Sequence, residues 1–324
     1  MTAVAVRRHP TQDATERRRP GWRVFVCKNL GAVRTMPAEY YMTPDELRRL
    51  QLQQQELIAE VDRICKKHGI RYQMVGGTML GAIRHKGYIP WDDDADIGFL
   101  REEYEKFRAA CKTELDPEKY YMQDLRDVPG YRWGYGKLRR KGTAFVRLHQ
   151  EQMPYGMGVS IDLMPFDSVP DGAFARRWHH FKCYAYRKFF WSHIGKDTAK
   201  HAWERAIYTL MDLVPMATLV RHFSAFIESG RGKKTQLVRI LTFPTPKGID
   251  GYERRWYEDL ALYPFESMTL PGAADYDGYL TVKYGDYMTL PPENKRKVHP
   301  ISRLQLLDEP TSSDERSVQD GKEI

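Results

Sequence analysis

Apolar positions recur with two different periods along the chain, and each period marks a different element. Leu50, Leu57, Ile58, Val61, Ile64 and Cys65 return at helical spacing, which predicts an amphipathic helix. Its start is written in Thr43-Pro44-Asp45-Glu46, a capping box with proline at the first helical position. His68-Gly69 supplies the stop. Residues 70–75 then read as a strand entering Gly76-Gly77-Thr78, residues 78–85 as a short helix, 95–99 as a strand and 102–111 as a helix. Four strand candidates follow at 120–124, 133–138, 143–148 and 158–163. Helix, strand, helix and clustered strands predict an α+β fold, a mixed sheet with helices packed against it.

After Pro170 the pattern changes. Residues 174–228 read as helical, with breaks near Gly195 and at Pro215. The stretch 176–193 interleaves Arg and Lys with Trp, Phe and Tyr, which fits a membrane interface as well as packing on the core. Residues 229–250 are rich in Gly, Lys and Pro and read as a loop region with one short helix. The first 35 residues are basic and aperiodic and read as a flexible arm; 307–324 is polar and reads as a disordered tail.

Composition adds little to the fold and something to the partners. Among 324 residues, 42% are hydrophobic and 29% charged, as in an ordinary soluble protein. The net charge of +8 suits nucleotides, phosphorylated glycans, nucleic acid or an anionic membrane, and equally suits solubility alone. Cys27, Cys65, Cys111 and Cys183 form neither a zinc cluster nor a disulfide scaffold, so a reducing, cytoplasmic compartment is expected. No secretory signal is expected in the Arg-rich first twenty residues, and the longest apolar stretch, 206–220, is broken by Asp212 and Pro215.

The chemistry concentrates in residues 75–99. On a strand, residues two apart share a face, so Asp94 and Asp96 project together while Ala95 and Ile97 face the core. Such a pair can hold Mg²⁺ (or Mn²⁺) together with substrate phosphates. Asp92 and Asp93 precede the strand and stand behind the pair. The spacing of Asp92, Asp94, Asp96 and Glu103 imitates a calcium loop, but Ile97 occupies the place where that loop needs glycine. Gly76, Gly77 and Thr78 form a backbone cradle for an anion at a helix start. Arg84 offers a planar fork for phosphate, with His85 and Lys86 beside it. Lys137 and Arg139 share a strand face and could neutralise phosphate charge. Asp162, between apolar neighbours at a strand end, is either a turn cap, a third metal ligand or the acceptor of a hydroxyl proton.

The run from Gly77 through Arg84-His85, Gly87, Ile89-Pro90-Trp91-Asp92-Asp93-Asp94 to Asp96-Ile97 resembles the hallmark of the LicD family, related to fukutin and its relative. Ile161 to Asp167 agrees, as does Tyr284 to Met288 with Pro291-Pro292 and Lys295-Arg296; Met164 stands where phenylalanine is common. The resemblance spans residues 40–303. It implies a nucleotidyltransferase-like core over 40–170, with a helical insertion and C-terminal region over 171–303 packed on it. It also implies Asp94, Asp96 and Asp162 as catalytic metal ligands and Gly76, Gly77 and Thr78 as the phosphate turn. The activity implied is phosphotransfer: phosphocholine moved from a CDP-activated donor to a hydroxyl of a surface glycan or lipid-linked glycan, with CMP released. Ribitol phosphate, a sugar phosphate, or a nucleic-acid-acting nucleotidyltransferase are the alternatives, although scattered basic residues argue against nucleic acid as a partner. A choline head group favours an aromatic pocket, for which Tyr88, Trp91, Tyr131, Trp133 and Tyr135 are candidates. Asp286 either reaches the site or caps a local turn. Cytoplasmic placement with peripheral contact at the inner membrane face completes the expectation.

Overall fold

The computed structural model describes residues 34–296 and 299–308. Most of the expected N-terminal arm and of the polar tail lies outside the described residues. Strand β1 (Arg34–Tyr40) leads into helix α1 (Pro44–His68). The expected capping box is present: the Thr43 hydroxyl accepts from the Glu46 N–H at 3.2 Å, and the Glu46 carboxylate accepts from the Thr43 N–H at 2.9 Å. Gly69 ends the helix in the left-handed region, at φ 63°. Strand β2 is short (Gln73–Met74), and helix α2 (Gly76–His85) follows at once. The two glycines therefore belong to the first turn of α2 and do not form a separate turn before it.

Strand β3 (Asp96–Leu100) and helix α3 (Arg101–Glu114) come next, then β4 (Tyr120–Gln123), β5 (Gly136–Arg140), β6 (Ala144–Arg147) and β7 (Ser160–Val169). The helical region comprises α4 (Ala173–Thr198), α5 (Ala202–Asp212) and α6 (Met216–Gly230). The remainder holds β8 (Leu237–Arg239), β9 (Tyr252–Glu253), the four-residue α7 (Arg255–Glu258), β10 (Leu260–Phe265), β11 (Met268–Ala273), α8 (Tyr276–Tyr284) and β12 (Ile301–Gln305).

The main sheet runs β2-β3-β7-β5-β4, with β8 and β9 attached beyond the upper half of β7. Only β3 and β7 are parallel; the rest of this sheet is antiparallel. Strand β7 is longer than its sequence predicts, because Pro165 interrupts the pattern. That proline, which has no N–H to donate, falls where β5 has ended opposite Leu163 and β8 has not begun opposite Asp167. A second sheet, β1-β12-β6, joins the two ends of the described chain, and β10-β11 is a hairpin.

Helices α1 and α3 lie on the main sheet, and Leu50, Leu57, Val61, Ile97, Phe99 and Phe107 are among the residues of its dry core. A second apolar cluster, around Phe190, Phe223 and Phe226, joins α4 to α6. The break expected near Gly195 is displaced to residues 199–201. Gly195 stays helical, and its missing side chain admits the Tyr208 ring: a Cβ there would lie 2.8 Å from it. The break at Pro215 is present, with that proline as the N-cap of α6. Cys65, Cys111 and Cys183 are buried free thiols.

Candidate functional site

The acidic loop is held from below by two buried glutamines of α1. Gln51 donates to the carbonyls of Ile89 and Asp92, and Gln54 to those of Asp93 and Ser160. Their amides satisfy loop carbonyls that the sheet does not reach, which fixes the backbone from which the aspartates project. From the other side, the N-terminus of α2 is tied to β3. The Val75 N–H donates to the Asp96 carbonyl at 3.2 Å, and the Asp96 N–H donates to the Thr78 hydroxyl at 2.7 Å. Gly76, at φ 59°, donates its N–H to the Tyr279 hydroxyl at 2.9 Å.

The glycines are needed for room as well as for backbone freedom. A Cβ on Gly76 would stand 2.6 Å from Asp96 Oδ2, and one on Gly77 would stand 2.6 Å from Asp92 Oδ2. The first turn of α2, whose leading N–H groups have no helical partner, thus presses directly on two carboxylates.

Strand register assembles the rest. Asp96 lies opposite Asp162 in the parallel β3–β7 pair, and Asp162 lies opposite Lys137 in the β7–β5 pair. Directly opposed residues share a sheet face, so the three side chains form a row across three strands. The Lys137 ammonium closes on the Asp162 carboxylate in an ion pair. Ligand atoms of Asp92, Asp93 and Asp94 lie within 4.8 Å of one another. Arg147 of β6 bridges Asp93 at 3.1 Å and Asp94 at 3.0 Å, and His299 reaches Asp93 at 2.9 Å. One oxygen of the buried Asp93, Oδ2, has no hydrogen-bond partner.

The electrostatics divide the cluster. Burial, together with the charges of Asp94, Asp93 and Asp96, pushes the Asp92 carboxyl well above the usual range. Burial, Asp94 and Asp162 do the same to Asp96 against the pull of Lys283 and Lys137. Burial also works to raise Asp94, but the Arg147 guanidinium outweighs it and holds that carboxyl low. Burial lowers the Lys137 ammonium, with Asp162 opposing the shift. Several carboxylates crowded into a low-dielectric site with too little positive charge form a donor set that suits a hard divalent cation.

The structure thus brings together Gly76, Gly77, Thr78, Asp94, Asp96, Asp162 and Lys137. Two cations expected there are occupied elsewhere. Arg84 donates to the Tyr287 carbonyl at 2.8 Å and to the His85 ring at 3.0 Å. Arg139 is buried and donates to Gln123 Oε1 and to the Gly158 carbonyl, both at 2.6 Å. Asp286 caps a local turn, accepting from the Thr289 hydroxyl at 2.7 Å. Asp92, which sequence placed behind the pair, stands beside it against Gly77.

Four contributors were not foreseen: Arg147, Lys283, Tyr279 and His299. Lys283 stands near Gly76 and shares a small cavity with Asp96. Its only sequence signal was its place beside the Tyr284-Gly285-Asp286 segment.

The candidate aromatics separate cleanly. Tyr88 packs on Phe265 in the core, Tyr131 is fully buried, and Trp91 lies under Arg296 at 4.4 Å. Trp133 and Tyr135 line a cavity of about 310 Å³, together with Trp191, Tyr208 and Phe243. Phe243 is shared with the cavity that contains Asp96, and the Lys137 ammonium lies 5.4 Å from the Tyr135 ring.

Residues 69–205 match the family described as LicD/FKTN/FKRP, nucleotidyltransferase domain. The chain is 26% identical over 274 residues to the lipopolysaccharide cholinephosphotransferase LicD of Haemophilus influenzae, covering 81% of this chain and 100% of that protein. It is 42% identical over 119 residues to an uncharacterized protein of Rickettsia prowazekii, covering 37% and 41% of the two chains. A segment of 62 residues is 51% identical to the human ribitol 5-phosphate transferase FKRP, covering 18% of this chain and 12% of that one.

Proposed function

Since residues 69–205 belong to the LicD/FKTN/FKRP family, we propose that the chain is a phosphotransferase moving an alcohol phosphate from a CDP-activated donor to a glycan hydroxyl. One observation carries the reading: Asp92 and Asp96 press on a helix start whose glycines leave no side chain between backbone and carboxylate, with Asp94 beside Asp92 and Asp162 in register with Asp96. Asp96 on β3 with Asp162 in register on β7, and Asp94 two residues before Asp96, supports a nucleotidyltransferase-like reading of the core.

Asp94 and Asp96, with Asp92 and Asp162 beside them, would hold a divalent cation, Mg²⁺ or Mn²⁺, which would supply positive charge to the phosphoryl oxygens. The first turn of α2 offers N–H groups to the same oxygens. Lys283 and Arg147 add fixed positive charge at the rim. Asp162, oriented by Lys137, takes the proton of the attacking hydroxyl. That oxygen bonds to phosphorus, the bond from phosphorus to the CMP oxygen breaks, and CMP leaves with the electron pair.

Phosphocholine is the favoured cargo. Tyr135 joins the aromatic cavity to the acidic centre, and ring faces attract a quaternary ammonium by about 1–2 kcal/mol. Ribitol phosphate is the second reading, supported by the similarity to FKRP. The test is CMP release from CDP-choline and CDP-ribitol with Mg²⁺ and a glycan acceptor. CDP-choline is expected to be the better donor, and Asp96→Asn to lower kcat by about 10² or more. No CMP from any donor, with Asp94→Asn and Asp96→Asn indistinguishable from the parent, refutes the enzyme reading.

A further inference from the structure

Helix α5 is built inside out for a globular surface. Two of its polar residues face the protein: Tyr208 packs on Gly195 and accepts a hydrogen bond from Lys188, and Asp212 pairs with Arg132, His193 and Lys196. Its apolar residues face outward. Trp203, Ile207 and Leu210 recur at i, i+4 and i+7, so they form one stripe; Trp203 is 63% exposed and Leu210 67%. Leu213, just past the helix, is 72% exposed. No residue of α5 is buried.

Helix α4 repeats the pattern near its start. Phe174, Trp178 and Phe181 stand at the same spacing and are all exposed, the last two stacked at 5.3 Å. Further along, Arg187 and Lys188 lie over the Tyr184 ring at 5.4 and 5.6 Å, an arrangement in which a basic head stands above an apolar stem and ring.

Charge chooses the partner. Residues 173–234 hold twelve Lys and Arg against four Asp and Glu, an excess equal to the net +8 of the whole chain. Arg177, Lys200, Arg205 and Arg221 are exposed among them. No single helix among the described residues is long and apolar enough to cross a membrane. Exposed Trp, Phe and Leu stripes set in a positive field match an anionic bilayer surface, where rings enter the headgroup layer and cations stay above it.

We propose that α4 and α5 dock the protein on an anionic lipid surface through these stripes. The inference is independent of the phosphotransfer reading but gives it a place. Tyr208, on the inner face of α5, lines the aromatic cavity beside the acidic centre. The helix that meets lipid on one side therefore walls that cavity on the other, where an acceptor carried in the bilayer is within reach.

The test is co-sedimentation of the full chain with phosphatidylcholine vesicles, with and without phosphatidylglycerol. Binding is expected only with phosphatidylglycerol, and to weaken as salt rises. Ile207→Asp with Leu210→Asp, at exposed positions that leave the fold intact, is expected to cut binding about tenfold or more. An unchanged far-ultraviolet circular dichroism spectrum is the folding control. Failure of the parent protein to sediment with anionic vesicles, or equal sedimentation of the double variant, overturns the proposal. So does a dimer in sedimentation velocity that the double variant dissociates, with no lipid binding, since the stripe then serves a second copy.

Discussion

At the scale of single residues, the site is an arrangement of like charges that opposes folding. Asp92 shows this most clearly, since burial and three neighbouring carboxylates push it well above its normal range. A carboxyl whose folded pKa is raised adds stability at low pH and loses it as pH rises through the folded value. At neutral pH, in the absence of divalent cation, Asp92 therefore works against the fold. Asp92→Asn is expected to raise the unfolding temperature in EDTA at pH 7.5 by about 2–4 °C, the worth of about 1 kcal/mol in a chain of roughly this size. The gain shrinks as pH falls to 5, because the raised carboxyl takes up its proton in the folded state before it does so in the unfolded chain. Differential scanning fluorimetry at the two pH values checks both statements.

At the scale of elements, α4 serves two neighbours with different faces. One face enters the apolar cluster with α6, carrying His179 onto the Phe226 ring at 5.1 Å. Burial, with help from Arg239 and Lys182, lowers this imidazole to about 4. The unfolded chain binds that proton near pH 6.5, so the unfolded state gains protons first as pH falls. Stability conferred by neutral His179 is complete above about pH 6.5 and is lost on acidification towards pH 4. Between pH 7 and pH 5 the parent is expected to lose about 2 kcal/mol that His179→Gln does not lose. Urea midpoints of both proteins at the two pH values measure the difference; parallel losses would remove His179 as the cause.

At the scale of the whole molecule, the site is closed by its C-terminal part. Helix α8 supplies Lys283 and Tyr279, and β12 lies between β1 and β6, just after His299 meets Asp93. A chain ending at residue 298 loses His299 and leaves β6 and β1 unpaired, which exposes ladder groups and unseats Arg147. Its unfolding temperature is expected to fall by about 10 °C, the scale of a few kcal/mol, and CMP release to be lost with it. Retained activity would place β12 outside the working unit.

Local rules carried the sequence far where the cause is local. The capping box at Thr43, the left-handed Gly69 and the two glycines that open α2 follow from short-range backbone geometry. Strand alternation does not extend to Asp94, because β3 begins at Asp96 and Asp94 lies in the loop before it, beside Asp92 and Asp93. Partner choice was not legible, because it depends on register and topology. Nothing near Arg139 in sequence tells that it turns to Gln123 while Lys137 turns to Asp162. Nothing near Arg147, Lys283 or His299 tells that strands and a helix more than fifty residues from the aspartates will deliver them. The sequence by itself determined the carboxylates and the backbone cradle, since each is encoded within a few residues. Only the tertiary structure decided which cations answer them, because an ion pair forms where the fold brings charges together.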